Sequence, residues 1–185
     1  MIRKNKLTNW YIVTGSPCSG ITTTVKELEK RGYRVIYELA RQFIDQELKK
    51  GRTLAEIRKN ELKFQQKILQ FKIKTEKKLP KKEIIFFDRG ISDSIAYYKI
   101  CGLEKDEILK KAVRNSSYKK VFLLDKLPYK KDYARIENDQ TRLKLYKYLK
   151  EGYEKTKTPV VKVPIMSVEK RVKFILKNLS YDNQN

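Results

Sequence analysis

A doubly wound α/β sheet is the fold class this sequence predicts, and three observations carry it. Short runs rich in β-branched and aromatic residues recur along the 185 residues, helical patterns separate them, and a glycine-bounded loop joins the first run to the first helix. Strands alternating with helices favour parallel pairing through right-handed crossovers.

The first strand, Trp10 to Thr14, is apolar without alternation, as a strand buried on both faces requires. Similar runs at Tyr33 to Tyr37, Ile84 to Phe87, Val121 to Leu124 and Pro159 to Val163 supply the other four. Helices are expected over Thr22 to Lys30 and Glu38 to Lys49. Thr53, three residues before Glu56, forms a capping-box signal for a helix running to about Lys78, with Ile57, Phe64, Ile68, Leu69 and Phe71 facing inward. Ser92 to Cys101, Asp106 to Val113, Asp139 to Lys155 and Val168 to Leu179 complete the helices. One domain over residues 1–185 is expected, with a charged lid at about 125–142 and a polar, frayed tail at 180–185.

Composition excludes several functions. No apolar run approaches the length of a membrane span, and the basic start Met1 to Leu7 is followed by no secretory pattern, so a cytoplasmic protein is expected. With no histidine and only Cys18 and Cys101, neither a histidine base nor a zinc site of the usual kind is available. Chemistry must run on carboxylates, hydroxyls, Lys, Arg, backbone amides and a hard cation. Lys plus Arg total 44 against 22 acidic residues, a formal charge of +22. Scattered pairs such as Lys49-Lys50 and Lys110-Lys111 read as a solvated surface. The competing reading is a basic face for nucleic acid or anionic lipid.

Directly after the first strand stands Gly15-Ser16-Pro17-Cys18-Ser19-Gly20-Ile21-Thr22-Thr23. Gly, four residues, Gly, one residue, Thr is Walker A spacing, and it lies between a strand and a helix as that motif requires. The glycines let successive N–H groups turn inward, the helix N-terminus favours phosphate oxygens, and Thr22 offers a hydroxyl to Mg²⁺. Ile21 stands where the motif has a lysine that bridges the outer phosphates. By analogy with an oxyanion donor, its loss costs on the order of 3 kcal/mol of transition-state stabilisation.

Ligands of open parallel sheets bind beyond the carboxyl ends of the strands. Asp88 and Arg89 end the third strand. The carboxylate suits Mg²⁺ or an acceptor hydroxyl, the guanidinium suits an acceptor phosphate or carboxylate, and helix capping is the plainer use of Asp88. Asp93 joins that cluster one turn on. Glu38, after the second strand, suits a general base or a partner of Arg41 or Arg34. Arg135 and Arg142 follow the charged loop, as arginines that close over a polyphosphate or as a surface stripe with Glu137 and Asp139. Tyr97, Tyr98, Tyr146, Tyr148 and Tyr153 read as packing.

These residues resemble a known family, the small P-loop ATPases of the AAA-domain type related to the ribosylnicotinamide kinase domain of NadR, within the nucleoside and nucleotide kinase group. The likeness runs from Ile12 to about Leu179. It rests on Gly15 to Thr24, Val35 to Arg41, Phe87 to Tyr97, and Val163-Pro164 with Val168 to Val172. It implies strand order 2-3-1-4-5, ATP or GTP with Mg²⁺ in the loop, an acceptor near Glu38, Arg41, Asp88 and Arg89, and a lid containing Asp132-Tyr133-Ala134-Arg135. The expected function is phosphoryl transfer from ATP or GTP to a small nucleoside-like acceptor. In that scheme Gly15 to Thr23 hold the nucleotide, Thr22 and Asp88 the metal, and Glu38, Arg41, Arg89 and Asp93 the acceptor. Catalysis falls to Glu38, Asp88, Arg89, Arg135 and Arg142, with Lys126, Lys130 or Lys131 replacing the absent loop lysine. The alternatives are a nucleotide-binding switch without turnover and a polyanion binder.

Overall fold

The computed structural model describes residues 8–125 and 139–180. Arg135, Lys126, Lys130, Lys131, the Asp132 to Arg135 segment and most of the expected lid and tail lie outside them. Five parallel strands, β1 (Trp10–Gly15), β2 (Arg34–Ile36), β3 (Ile85–Asp88), β4 (Lys120–Leu124) and β5 (Val160–Val163), form one sheet in the order β2-β3-β1-β4-β5. The helices are α1 (Ile21–Lys30), α2 (Leu39–Lys49), α3 (Leu54–Arg58), α4 (Glu61–Lys77), α5 (Asp93–Ile100), α6 (Glu107–Asn115), α7 (Asp139–Glu154) and α8 (Val168–Ser180). Among the described residues no helix is long and apolar enough to cross a membrane.

Strand β1 explains the layering. Tyr11 and Val13 pack on one face with Val25 and Leu28 of α1 and Val172 and Ile175 of α8, while Trp10 and Ile12 pack on the other with Phe87 and Tyr153. Alternation along a strand divides its side chains between two covered faces, so an unbroken apolar run is the sequence a central strand needs. Placed in the middle, β1 delivers the phosphate-loop sequence to the centre of the sheet's carboxyl edge. Register sets Val13 opposite Asp88 and Gly15 opposite Leu124.

The single helix expected from Thr53 to about Lys78 is two. Thr53 does make the capping box with Glu56, but Asn60 leaves helical geometry at φ −122° and caps a new helix by accepting from the Lys63 amide at 2.9 Å. A short polar side chain that satisfies the orphan amides makes the break cheap. Asn60→Ala is expected to lower stability by ~1 kcal/mol without altering ligand binding, checked by denaturant titration beside a binding assay. Phe71 is only half-buried, and the inward position one residue on is taken by Lys72.

Candidate functional site

The glycine-bounded loop departs from ordinary backbone at two places: Cys18 has φ 63° and Gly20, which precedes α1, has φ 82°. A non-glycine in the left-handed region marks local strain of the kind stored at ligand sites. Gly15 is needed for close approach, since a Cβ there would lie 2.5 Å from Ser19 Oγ and 2.9 Å from the Leu124 carbonyl. Within the loop the Ser16 and Ser19 hydroxyls are buried without a hydrogen-bond partner. Thr22 is half-buried and Thr23 exposed.

Three arginines hold the loop through its carbonyl oxygens. Arg89 Nη1 donates to Gly15 O at 2.8 Å, and Arg142 Nε donates to Pro17 O at 3.0 Å. Arg171 Nη1 donates to Ser19 O and Gly20 O, both at 3.3 Å, and to Thr24 Oγ1 at 3.0 Å. All three side chains are buried. Carbonyls tied outward leave the amides of the same peptides directed to the opposite side, the arrangement an anion cradle needs. Ile21 sits within the apolar cluster of Tyr11, Val13 and Val25, 6% exposed. Positive charge therefore surrounds the loop from behind, while the position that carries lysine in the motif packs into the core.

Asp88 ends β3 beside the loop. Thr22 Oγ1 donates to its Oδ2 at 2.9 Å, while Oδ1 is buried with no partner. Burial, then the charge of Glu38, pushes the Asp88 carboxyl up from 3.8 to about 7. Asp88 makes no capping bond; the cap-like bond in this turn comes from Asp93, whose Oδ2 accepts from the Gly90 amide at 2.8 Å. A hydroxyl and an orphaned carboxylate oxygen side by side fit a hard divalent cation that completes its shell with water and phosphate oxygens. No cluster of three Asp, Glu or Cys among the described residues would hold a metal unaided.

Arg89 connects the loop to the neighbouring cleft. Its backbone is left-handed at φ 70°, and besides Gly15 its guanidinium meets Glu38 at 3.2 Å, Asp93 at 3.5 Å and the Tyr97 ring at 5.6 Å. Burial opposes its charge, but Tyr97, Glu38 and Asp93 outweigh that and raise its pKa above the ordinary value. Glu38 stands at the start of α2, pairs with Arg89 and makes no helix-capping bond; Arg34 pairs instead with Glu83. Glu38, Arg41, Arg89, Tyr97 and Pro17 share one open cleft with an apolar wall of Leu39, Ile44, Phe64 and Ile68.

Asp93 does not reach that cleft. It has no exposed surface and accepts hydrogen bonds from Thr14, Tyr153 and the Gly90 amide, which makes it the internal brace of the Arg89 turn. Tyr98 and Tyr153 are buried as packing residues, whereas Tyr97 faces the cleft. Of the buried cations at the loop and the cleft, Arg171 and Lys72 carried no role in the reading of the sequence. Each had a signal: Arg171 lies in the inward stripe of Val172 and Ile175, and Lys72 continues that of Phe64, Ile68 and Leu69, so helical spacing turns both toward the interior.

The comparisons agree with this geometry. No curated protein sequence matches the chain. Among solved structures, NadR in complex with NAD and AMP-PNP is 15% identical with TM-score 0.70, covering 97% of this chain and 51% of its own. Deoxyadenosine kinase from M. mycoides is 18% identical with TM-score 0.65, covering 93% of this chain and 98% of its own. Thymidylate kinase from Ehrlichia chaffeensis is 16% identical with TM-score 0.63, covering 94% and 99% respectively. At such identities the likeness is one of fold, a P-loop kinase fold. A family model described as an AAA domain matches residues 10–171, from the first residue of β1 to the arginine that holds the loop at Ser19 and Gly20. A phosphate loop at the centre of a 2-3-1-4-5 sheet, matched over that span, means that this chain belongs to the AAA-domain family of P-loop proteins.

Proposed function

We propose that the protein is a phosphotransferase that moves the γ-phosphoryl of ATP or GTP to a small nucleoside-like acceptor. The observation that carries this reading is the Thr22–Asp88 pair, with one carboxylate oxygen orphaned between the loop and the cleft. Thr22 would hold Mg²⁺ directly and Asp88 through water; when bound, the metal supplies charge neutralisation on the phosphates. The loop amides and the Ser16 and Ser19 hydroxyls bind the β-phosphate. Glu38, held toward the cleft by Arg89, takes the proton of the acceptor hydroxyl, and Arg89 fixes the relative position of loop and acceptor. Arg41 and Tyr97 line the acceptor's side.

Thermal-shift measurements with ATP, GTP, dATP and ADP, each with and without Mg²⁺, test the nucleotide half. A ligand at 100 times its dissociation constant adds ~2.7 kcal/mol of stability. A panel of acceptors with phosphoryl transfer as the readout tests the other half. Stabilisation by nucleotide with no transfer to any acceptor would favour a second reading, a nucleotide-binding switch, which the burial of Ile21 in the core supports. No stabilisation by any nucleotide would overturn both.

A further inference from the structure

Lys72 is a buried charge at the cleft with no direct ion pair. It lies on α4, 5% exposed, and lines the cleft with Glu38, Arg41 and Arg89. Its ammonium donates to the Gly90 carbonyl at 2.8 Å and to Ser94 Oγ at 3.4 Å, both neutral. Arg58, also on the wall, is paired with Glu61, and Arg89 with Glu38 and Asp93. Among the described residues no carboxylate comes within 4.0 Å of Lys72. Lys72 thus lacks a direct ion pair, and the carboxylates that favour its charge, Asp93, Glu38 and Glu76, act only from farther away, so a ligand anion in the cleft would be its first contact counter-charge.

We infer that Lys72 is a specificity-determining residue that receives an anionic group, a phosphate or a carboxylate, carried by the acceptor. The inference rests on the acceptor role proposed for the cleft. It deepens that role by dividing nucleoside-like and other small acceptors into charged and neutral ones and selecting the charged. Placement supports it. Gly90 and Ser94 follow Arg89 in the chain, so an anion on Lys72 meets the cleft from the α4 side, near the Arg89 turn. Burial lowers the Lys72 pKa, opposed first by Asp93, with Arg89 adding to the lowering and Glu38 and Glu76 opposing it. An arriving anion adds a further charge that favours the ammonium form.

The test compares matched probes by titration calorimetry on the full chain. Neutral probes are nucleosides. The phosphate arm is their 5′-monophosphates, and the carboxylate arm is shikimate and quinate, with their methyl esters as neutral twins. The wild type is expected to prefer one anionic arm over its neutral twins by ~10-fold or more, the scale of one charge-assisted contact. Lys72→Met is expected to erase the preference while Mg²⁺–ADP affinity holds, and Lys72→Arg to retain part of it.

Equal affinity for charged and neutral twins in the wild type would overturn the inference, and that arm needs no variant to fold. Equal loss of all probes in Lys72→Met would also overturn it, making Lys72 a clamp on Gly90. Mg²⁺–ADP binding reports on the loop separately. Its presence without anion preference sinks this inference alone, whereas its absence sinks the reading of the nucleotide site.

Discussion

Asp88→Asn is expected to reduce Mg²⁺-dependent phosphoryl transfer by ~100-fold or more, the cost of losing a carboxylate that orients a bound metal, without unfolding the protein. Asparagine keeps an oxygen for the Thr22 hydroxyl, and what disappears is a buried charge that burial and Glu38 already disfavour. The pH dependence follows from the direction of that shift. In the unfolded chain the carboxyl ionises near 3.8, whereas in the folded apo protein it holds its proton to about 7. Across that interval the folded state binds more protons, so stability is greatest at the acid end, falls as pH rises toward 7 and is level above. Asparagine removes this slope. Glu76, raised by burial to about 7, contributes a parallel slope that remains. The variant should therefore melt above the wild type by a smaller margin at pH 5 than at pH 8, and the two should converge only at about pH 4. A variant that melts markedly lower at pH 8 would show that Asp88 holds the fold rather than the metal.

Arg171→Met is expected to damage both the phosphate loop and the fold. The guanidinium is 2% exposed and serves Ser19 O, Gly20 O and Thr24 Oγ1. Methionine fills the volume but removes these charge-assisted bonds and strands Ser19 O, while Gly20 O and Thr24 Oγ1 keep their bond to each other at 2.8 Å, at ~2 to 5 kcal/mol in all by the usual range for charged hydrogen bonds and stranded partners. For a chain of this size each kcal/mol shifts the melting temperature by about 2–4 °C, so a fall on the order of 10 °C is expected. Mg²⁺–ADP affinity should fall ~10-fold or more beyond any effect on adenosine, because the diphosphate is what the loop amides hold. Calorimetric titration of ADP and adenosine below the melting point separates the two. Unchanged ADP affinity in a destabilised variant would mean that the loop keeps its shape without Arg171. Lysine at this position keeps the charge but not the planar fork, and should recover only part of the loss.

The strands, the loop and the strand-end acids were legible in the sequence because each depends on local chemistry. Trp10 to Thr14 is apolar on both parities, which only a covered central strand tolerates. Glycines at 15 and 20 with Thr22 between a strand and a helix have few other uses. Asn60 shows the limit even of local reading. Its capping bond ends one helix and begins another within a stretch whose apolar spacing continues across the break. Asp93, read as a possible ligand contact because it follows Asp88 by one turn, is enclosed by Thr14 and Tyr153 from elsewhere in the chain.

Local residue patterns suffice for the sheet, the position of the phosphate loop and the set of acids and arginines around it. What those charges meet depends on long-range packing. Helical spacing turns Arg171 and Lys72 inward, but only helix packing carries one to the back of the loop and the other to the wall of the cleft. The reason is physical: apolar periodicity and turn chemistry act over a few residues, whereas the meaning of a charge depends on which distant groups share its low-dielectric surroundings. Those neighbours, 151 residues away for Arg171 and Gly20, are set when the sheet closes its helices around the loop.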